Sequence, residues 1–328
     1  MRPLKTKSLL FALACAFSAT APAADMVMTN EVATTHWKTQ YMEEVGESIK
    51  KKTDGEINPI VFPSGQIYND QDALAALGTG AVQMVWPVAV RLETIDPRTG
   101  VLSLPFTLKT EDMQKACYRQ QVSDMLTSFV DKRNLKVLTL LRAADLIFLF
   151  GDKDIKSLKG MQGAKVRVIG GKVYLATMKA TGANPISMPA SEMSTALAQG
   201  TIDGVLSSAA GWADMLGTSA QYGYFVPGFE LATYAVVVDK SWYDNLSDKD
   251  AEIVRDSVED IADDQWTSTV EKDQKLIEKM ESEGGTYTVA DDAEIQRWRD
   301  KMQPVVDQFA QEYPGAVDKL KALNSSCQ

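Results

Sequence analysis

The chain has 328 residues, 45% hydrophobic and 24% charged, with 44 acidic against 34 basic side chains and a formal net charge of −10. An acidic chain with no basic cluster excludes nucleic acid and anionic lipid surfaces as natural partners. Gly, Pro and Cys contents are ordinary, and there is no internal repeat or low-complexity tract.

The N-terminus predicts the compartment. Arg2, Lys5 and Lys7 precede the apolar run 9–17, and Ala21-Pro22-Ala23 places small residues where a signal peptidase reads them. The run is shorter than the roughly 20 residues a spanning helix needs. Residues 1–23 are therefore expected to be an export signal cut near Ala23 or Ala24, with the protein periplasmic. Cys15 follows Ala12-Leu13-Ala14, a poor lipobox. Losing the three basic residues takes the charge from −10 to −13. Beyond residue 25 no stretch is long and apolar enough to cross a membrane. What remains exceeds the size at which single cores divide into two domains. Export permits a bridge between the remaining cysteines, Cys117 and Cys327. Spacing alone leaves open whether their Cα atoms approach within about 7 Å.

A first strand is expected over 25–29, then a helix over 35–53 with Trp37, Tyr41, Val45 and Ile49 at four-residue spacing, stopped by Asp54-Gly55. A strand at 57–62 ends at Pro63-Ser64-Gly65. Asn69 or Asp70 caps a helix at 71–77, and 82–85 is a short buried strand. This order predicts a parallel sheet with right-handed crossovers. A second series has strands at 135–141, 146–150 and 165–169, a helix at 173–181 and a turn at Gly182. Ile186 then leads to Pro189, Ser191 caps a helix ending at Gln199-Gly200, and 205–207 is a strand. Two such units joined by extended segments imply two lobes with a cleft between them. From 247 to about 283 there is no Gly or Pro, and Ser247 can cap the run with Asp248 and Asp250 in its first turn. A helix of about 36 residues is ~54 Å long, more than one lobe. Its apolar stripe lacks a strict heptad, which favours a spine across both lobes over a coiled-coil arm.

With these elements in place, the chain resembles the substrate-binding proteins of TRAP (tripartite ATP-independent periplasmic) transporters. The resemblance rests on Phe62-Pro63-Ser64-Gly65-Gln66-Ile67, Gly80-Ala81-Val82-Gln83-Met84 and Leu104-Pro105-Phe106. It is densest from Lys165-Val166-Arg167-Val168 through Gly182-Ala183-Asn184-Pro185, Glu192 and Thr195-Ala196-Leu197-Ala198-Gln199-Gly200 to Ile202-Asp203-Gly204. It implies an α/β class, the two-lobed periplasmic-binding-protein fold with a hinged cleft and a long helix spanning both lobes. Lobe I is expected at 25–148 plus about 233–265, lobe II at 149–232 plus about 266–328, sharing the helix at 247–283.

The resemblance also implies that Arg167 projects into the cleft and pairs with a ligand carboxylate, for which a permanently charged guanidinium offers two parallel N–H donors. Arg142 falls near a second position where the family often carries arginine; a surface charge at a strand end is the competing reading. Where the family commonly has Asp-Gly-x-x-Asn, this chain has Asp203-Gly204-Val205-Leu206-Ser207, so the shorter Ser207 stands at the ligand-touching asparagine. That implies a wider pocket or a bridging water, and departs from the usual dicarboxylate or sialic-acid-like ligand.

Aromatic residues near predicted strand ends and loops, Trp86, Trp212, Trp37 beside His36, Tyr68 and Phe229, make an apolar-walled pocket for an acid with an apolar or aromatic body. Each taken singly is more often core. Asp203 and Glu192 read as structural. The implied partners are a small organic acid and the membrane components of a TRAP transporter. A monomer is expected, with a dimer as the alternative, and no cofactor or metal is expected. The rival readings are a secreted carboxylate-dependent hydrolase and a binding protein for another transporter or a sensor. Against the hydrolase, His36 is the one histidine, and no Gly-x-Ser-x-Gly, His-Glu-x-x-His or Cys-x-x-Cys occurs. Ser48-x-x-Lys51 lies on an amphipathic helix.

Overall fold

A computed structural model describes residues 24–327. The expected export signal lies outside them. Eleven strands form two mixed sheets: β1 (Ala24–Thr29), β2 (Ile57–Phe62), β3 (Met84–Val85), β4 (Leu135–Asp145), β5 (Ile147–Phe150), β6 (Lys165–Val168), β7 (Asn184–Ser187), β8 (Gly204–Ser207), β9 (Tyr222–Phe225), β10 (Leu231–Asp239) and β11 (Thr286–Val289). The first sheet runs β2-β1-β3-β10-β4, the second β11-β9-β5-β8-β6-β7.

The expected parallel units are present, since β1 pairs in parallel with β2 and β3, and β6 with β7 and β8. Neither sheet is purely parallel, however. β10 runs antiparallel between β3 and β4, and β5 runs antiparallel to both β8 and β9. The sequence reading missed β10 because all nine of its residues are buried. A strand covered on both faces has no polar alternation to reveal it.

Apart from the long helix that leads from β10 to β11, the chain passes between sheets at Leu146, between β4 and β5, and through 226–230, between β9 and β10. The Leu146 N–H donates to the Glu230 carbonyl at 2.9 Å, tying the two crossings side by side. Two paired extended crossing segments are the natural hinge of such a fold.

The long helix is Asp248–Ser282, 35 residues, with the Ser247 hydroxyl accepting from the Asp250 N–H at 3.1 Å. Val254, Val258, Ala262 and Trp266 pack into the core of the first lobe, whereas Ile277 and Met280 join a cluster of the second. Midway, the Trp266 indole donates to the Leu140 carbonyl at 2.7 Å, and the Gln265 side chain accepts from the Arg142 N–H at 2.7 Å. The helix is therefore fastened to β4 just before the hinge.

The C-terminal segment corrects the expected lobe boundaries. In the helix Asp292–Glu312, Trp298 and Met302 belong to the second lobe's core, but Phe309 has reached the first. The helix Pro314–Ala322 then buries Ala316, Val317 and Leu320 against the first lobe. Residues from about 309 onward thus return to lobe I, because their apolar positions complete its core. A Cys117–Cys327 disulfide, Cα atoms 6.1 Å apart, fastens the end of the chain to the helix Ala116–Val130 of that lobe. Cys117→Ser is expected to cost about 2–5 kcal/mol, since the bridge closes a long loop. It should lower the non-reducing thermal midpoint and leave ligand affinity unchanged, measured by calorimetry.

Glu93 ties the lobes on another side. It sits in a first-lobe 3₁₀ turn, Ala89–Thr94, and its Oε2 accepts from the Lys172 N–H at 2.6 Å, at the start of the second-lobe helix Lys172–Ala180. Gly171, at φ +85°, permits the approach: a Cβ there would lie 2.3 Å from Val90. Burial pushes the Glu93 carboxyl up to about 7, outweighing the Lys172 and Val173 N–H groups and the Lys172 charge that favour ionisation. A carboxyl raised on folding is protonated in the native state while the unfolded chain has ionised. Stability present below pH ~4.5 is then lost as pH rises through about 7. Glu93→Gln should nearly match wild type near pH 4.5 and exceed it by about 3 kcal/mol at pH 8, since the carboxyl rises from 4.5 to about 7 at ~1.4 kcal/mol per pH unit. Denaturant midpoints at the two pH values check this.

Candidate ligand-binding cleft

Strand alternation places Arg167. Its neighbours Val166 and Val168 are buried in the core of the second lobe, so the side chain between them projects from the opposite face of β6. That face looks onto a cavity walled by both lobes. Arg167 is 2% exposed. Its Nε donates to the Met188 carbonyl at 3.1 Å, while its buried Nη2 makes no hydrogen bond to the described protein. Burial lowers its pKa to about 10, with the Glu31 charge opposing and Arg91 adding to the drop, so it stays cationic at neutral pH.

The first lobe supplies the facing wall. His36 caps the helix Trp37–Lys52, its Nδ1 accepting from the Lys38 N–H at 3.1 Å. Burial, and secondarily the Lys38 charge, lowers the His36 pKa to about 3. The imidazole is therefore neutral and carries its proton on Nε2, as a donor. Lys38 is fully buried: its Nζ donates to the Trp86 carbonyl at 3.1 Å, lies 3.6 Å from Asp70 Oδ2, and sits 4.3 Å from the Tyr234 ring centroid. Burial pushes the Asp70 carboxyl up to about 6 and Glu31 adds to the rise, while Lys38 and Arg91 oppose it. Glu31 accepts from the Asp70 N–H at 3.3 Å. Tyr234, from β10, completes this side, its hydroxyl pushed well above the ordinary tyrosine range by burial first and then by the charges of Asp70 and Glu31.

Ser207 ends β8 on the cavity wall. A Cβ on Gly211 would lie 2.2 Å from the Ser207 hydroxyl, so only glycine lets the following turn pack this closely. The remaining wall is aliphatic and thioether, including Val32, Leu146, Ile169, Met193 and Met215.

Of the residues singled out from sequence, the cavity brings together Arg167, His36 and Ser207. The others lie elsewhere. Arg142 pairs with Asp273 at 2.6 Å and Asp145 at 2.8 Å, bracing the hinge against the long helix. Trp86 is fully buried in the core of the first lobe. Trp212 is buried in the second lobe, its indole donating to the Ala220 carbonyl at 2.8 Å. Phe229 packs on Phe106, Phe148 and Trp298. Trp37 and Tyr68 are half-buried against the first core. The expected aromatic wall thus reduces to Tyr234, because large rings near these strand ends turn inward, where they bury the most area.

Lys38, Glu31, Asp70 and Tyr234 were missed. Lys38 had a signal: it precedes Tyr41, Met42, Val45 and Ile49 on one helical face, a cation in line with core positions. Among the described residues no group of three or more His, Cys, Asp or Glu is placed to hold a metal, and no helix is long and apolar enough to cross a membrane.

Two α/β lobes joined by paired crossings, with a buried unsaturated guanidinium between them, define a cleft-type binding protein. The family model of the bacterial extracellular solute-binding proteins, family 7 (DctP), matches residues 28–312, and the chain belongs to that family. A solute-binding protein of Chromohalobacter salexigens is 25% identical over 273 residues, 83% of this chain and 81% of its own. A TRAP periplasmic solute-binding protein from the same organism, solved with bound D-glucuronate, aligns with a TM-score of 0.82 at 24% identity, over 91% of this chain and 98% of that one. Another, from Shewanella oneidensis with bound succinate, aligns at 0.83 and 22% identity, over 92% and 99%. The resemblance read from the sequence is borne out, and the two structures share the fold.

Proposed function

We propose that the protein captures a small organic acid by docking its carboxylate on Arg167, closes its lobes over it, and delivers it to the membrane components of a TRAP-type transporter. The observation that carries this reading is the buried Nη2 of Arg167, in a cavity whose walls come from both lobes. A guanidinium already oriented by Met188 can give its remaining N–H groups to a carboxylate without further ordering. The bound acids of the solved relatives, D-glucuronate and succinate, are of this class. The aliphatic wall suits a compact carbon body rather than a flat ring. The periplasm is the compartment consistent with the extracellular family and with the N-terminal pattern.

Binding without turnover is the favoured mode. His36 commits Nδ1 to a helix N-terminus and is held neutral, which leaves it without the basic nitrogen a hydrolytic nucleophile needs. A thermal-shift screen over mono- and dicarboxylic acids, followed by calorimetry and recovery of the bound acid, tests both parts. Stoichiometric recovery of unchanged acid is expected. Chemical conversion of the acid would overturn the binding-only reading, and indifference to every carboxylate would overturn the ligand class.

A further inference from the structure

We propose that Glu31 makes the cavity selective for singly charged acids whose far end donates a hydrogen bond, over diacids of the same length. This rests on Arg167 as the carboxylate-binding residue. Arg167 from the second lobe and Lys38 from the first line the cavity with two carboxylates, Glu31 and Asp70, and a third cation, Arg91, lies behind the wall, near enough to act on Arg167 and Asp70. Lys38 and Asp70 are matched to each other at 3.6 Å, both nearly fully buried. Arg91 is buried and has no ion-pair partner within 4 Å among the described residues, and its Nε makes no hydrogen bond. Its guanidinium reaches the segment just after β6, where a Cβ on Gly170 would lie 3.1 Å from Nη1. Glu31 is thus the cavity carboxylate left to Arg167, and with Arg91 behind the wall the surroundings of the cavity carry one excess positive charge.

A single ligand carboxylate cancels that excess. A second would leave net negative charge in a site closed to water, where uncompensated charge is most costly. A ligand reaching from Arg167 toward the first-lobe wall also meets Glu31 itself. That carboxylate repels another carboxylate but accepts a hydrogen bond from a hydroxyl. The nearby His36 and Tyr234 are neutral and leave the charge balance unchanged.

The test uses pairs that differ only in a terminal hydroxymethyl against a carboxylate, 4-hydroxybutyrate against succinate and D-gluconate against D-glucarate. Each is titrated calorimetrically at pH 7.5 into wild type and Glu31→Gln. The wild type should bind the hydroxy acid at least 10-fold more tightly than its diacid, and Glu31→Gln should shrink that preference at least fivefold. Diacids binding equally or more tightly to wild type, or a preference unmoved by the substitution, would overturn the selectivity while leaving the Arg167 reading intact. Failure of all four acids to bind would overturn the selectivity, and the carboxylate screen then decides the Arg167 reading. If Glu31→Gln does not fold by circular dichroism, the wild-type ratios decide alone.

Discussion

Replacing Arg167 with alanine is expected to weaken carboxylate binding by about 30-fold or more, with the fold intact. Truncating one partner of a buried, hydrogen-bonded charge pair costs about 2–5 kcal/mol, and each 1.4 kcal/mol is tenfold in affinity. Two effects combine. The ligand carboxylate would enter the cavity without its donors, and the excess positive charge it cancels would be gone. Arg167→Lys should recover only part of the loss, because an ammonium keeps the charge but not the two parallel donors. Calorimetry with the best acid from the screen reads the affinity, and a denaturant midpoint close to wild type separates lost binding from lost folding. Wild-type affinity in Arg167→Ala would remove the carboxylate role.

Arg142→Ala should behave in the opposite way, destabilising the protein by about 3–5 kcal/mol while changing affinity less than tenfold. Its guanidinium joins Asp273 of the long helix to Asp145 at the end of β4, and is itself 2% exposed. Removing it leaves the Asp273 carboxylate, already raised by burial, without the charge that keeps it ionised. The expected signature is a lower denaturant midpoint with an unchanged slope. A stable Arg142→Ala protein that no longer binds acids would instead make this arginine a ligand contact. The two arginines were read from one resemblance, yet their surroundings divide the work: one is ion-paired to two carboxylates of its own chain, and the other has no ion-pair partner within 4 Å among the described residues.

Much of the local structure was legible because local rules suffice for it. Ile57–Phe62 and the Ser247-capped helix fall where apolar periodicity and capping chemistry put them. Ser191 was expected to cap the helix after β7, but that helix is Ala190–Ala198, with Pro189 at its cap and no side-chain bond. A proline with its fixed φ starts the helix without needing a hydroxyl. The aromatic wall failed for a different reason. Strand-end position says where a ring begins, and only the neighbouring elements decide whether it turns toward a core or a cleft. Trp86 and Trp212 both turn into cores.

The sequence by itself determined the α/β class, two units with a helix too long for either, the acidic charge, and the one strand whose arginine lies between two core valines. These depend on contacts a few residues apart, or on composition. Tertiary structure alone decided three other things. It placed the antiparallel β10, which is hidden in sequence by burial on both faces. It carried residues from about 309 onward back to the first lobe, where Cys327 meets Cys117 across a separation of 210 residues. And it gathered Glu31, Lys38, Asp70 and Tyr234 opposite Arg167. That gathering is invisible along the chain because the charge balance of a cleft is set by which side chains share a water-poor space, and the sharing arises only when the two lobes meet.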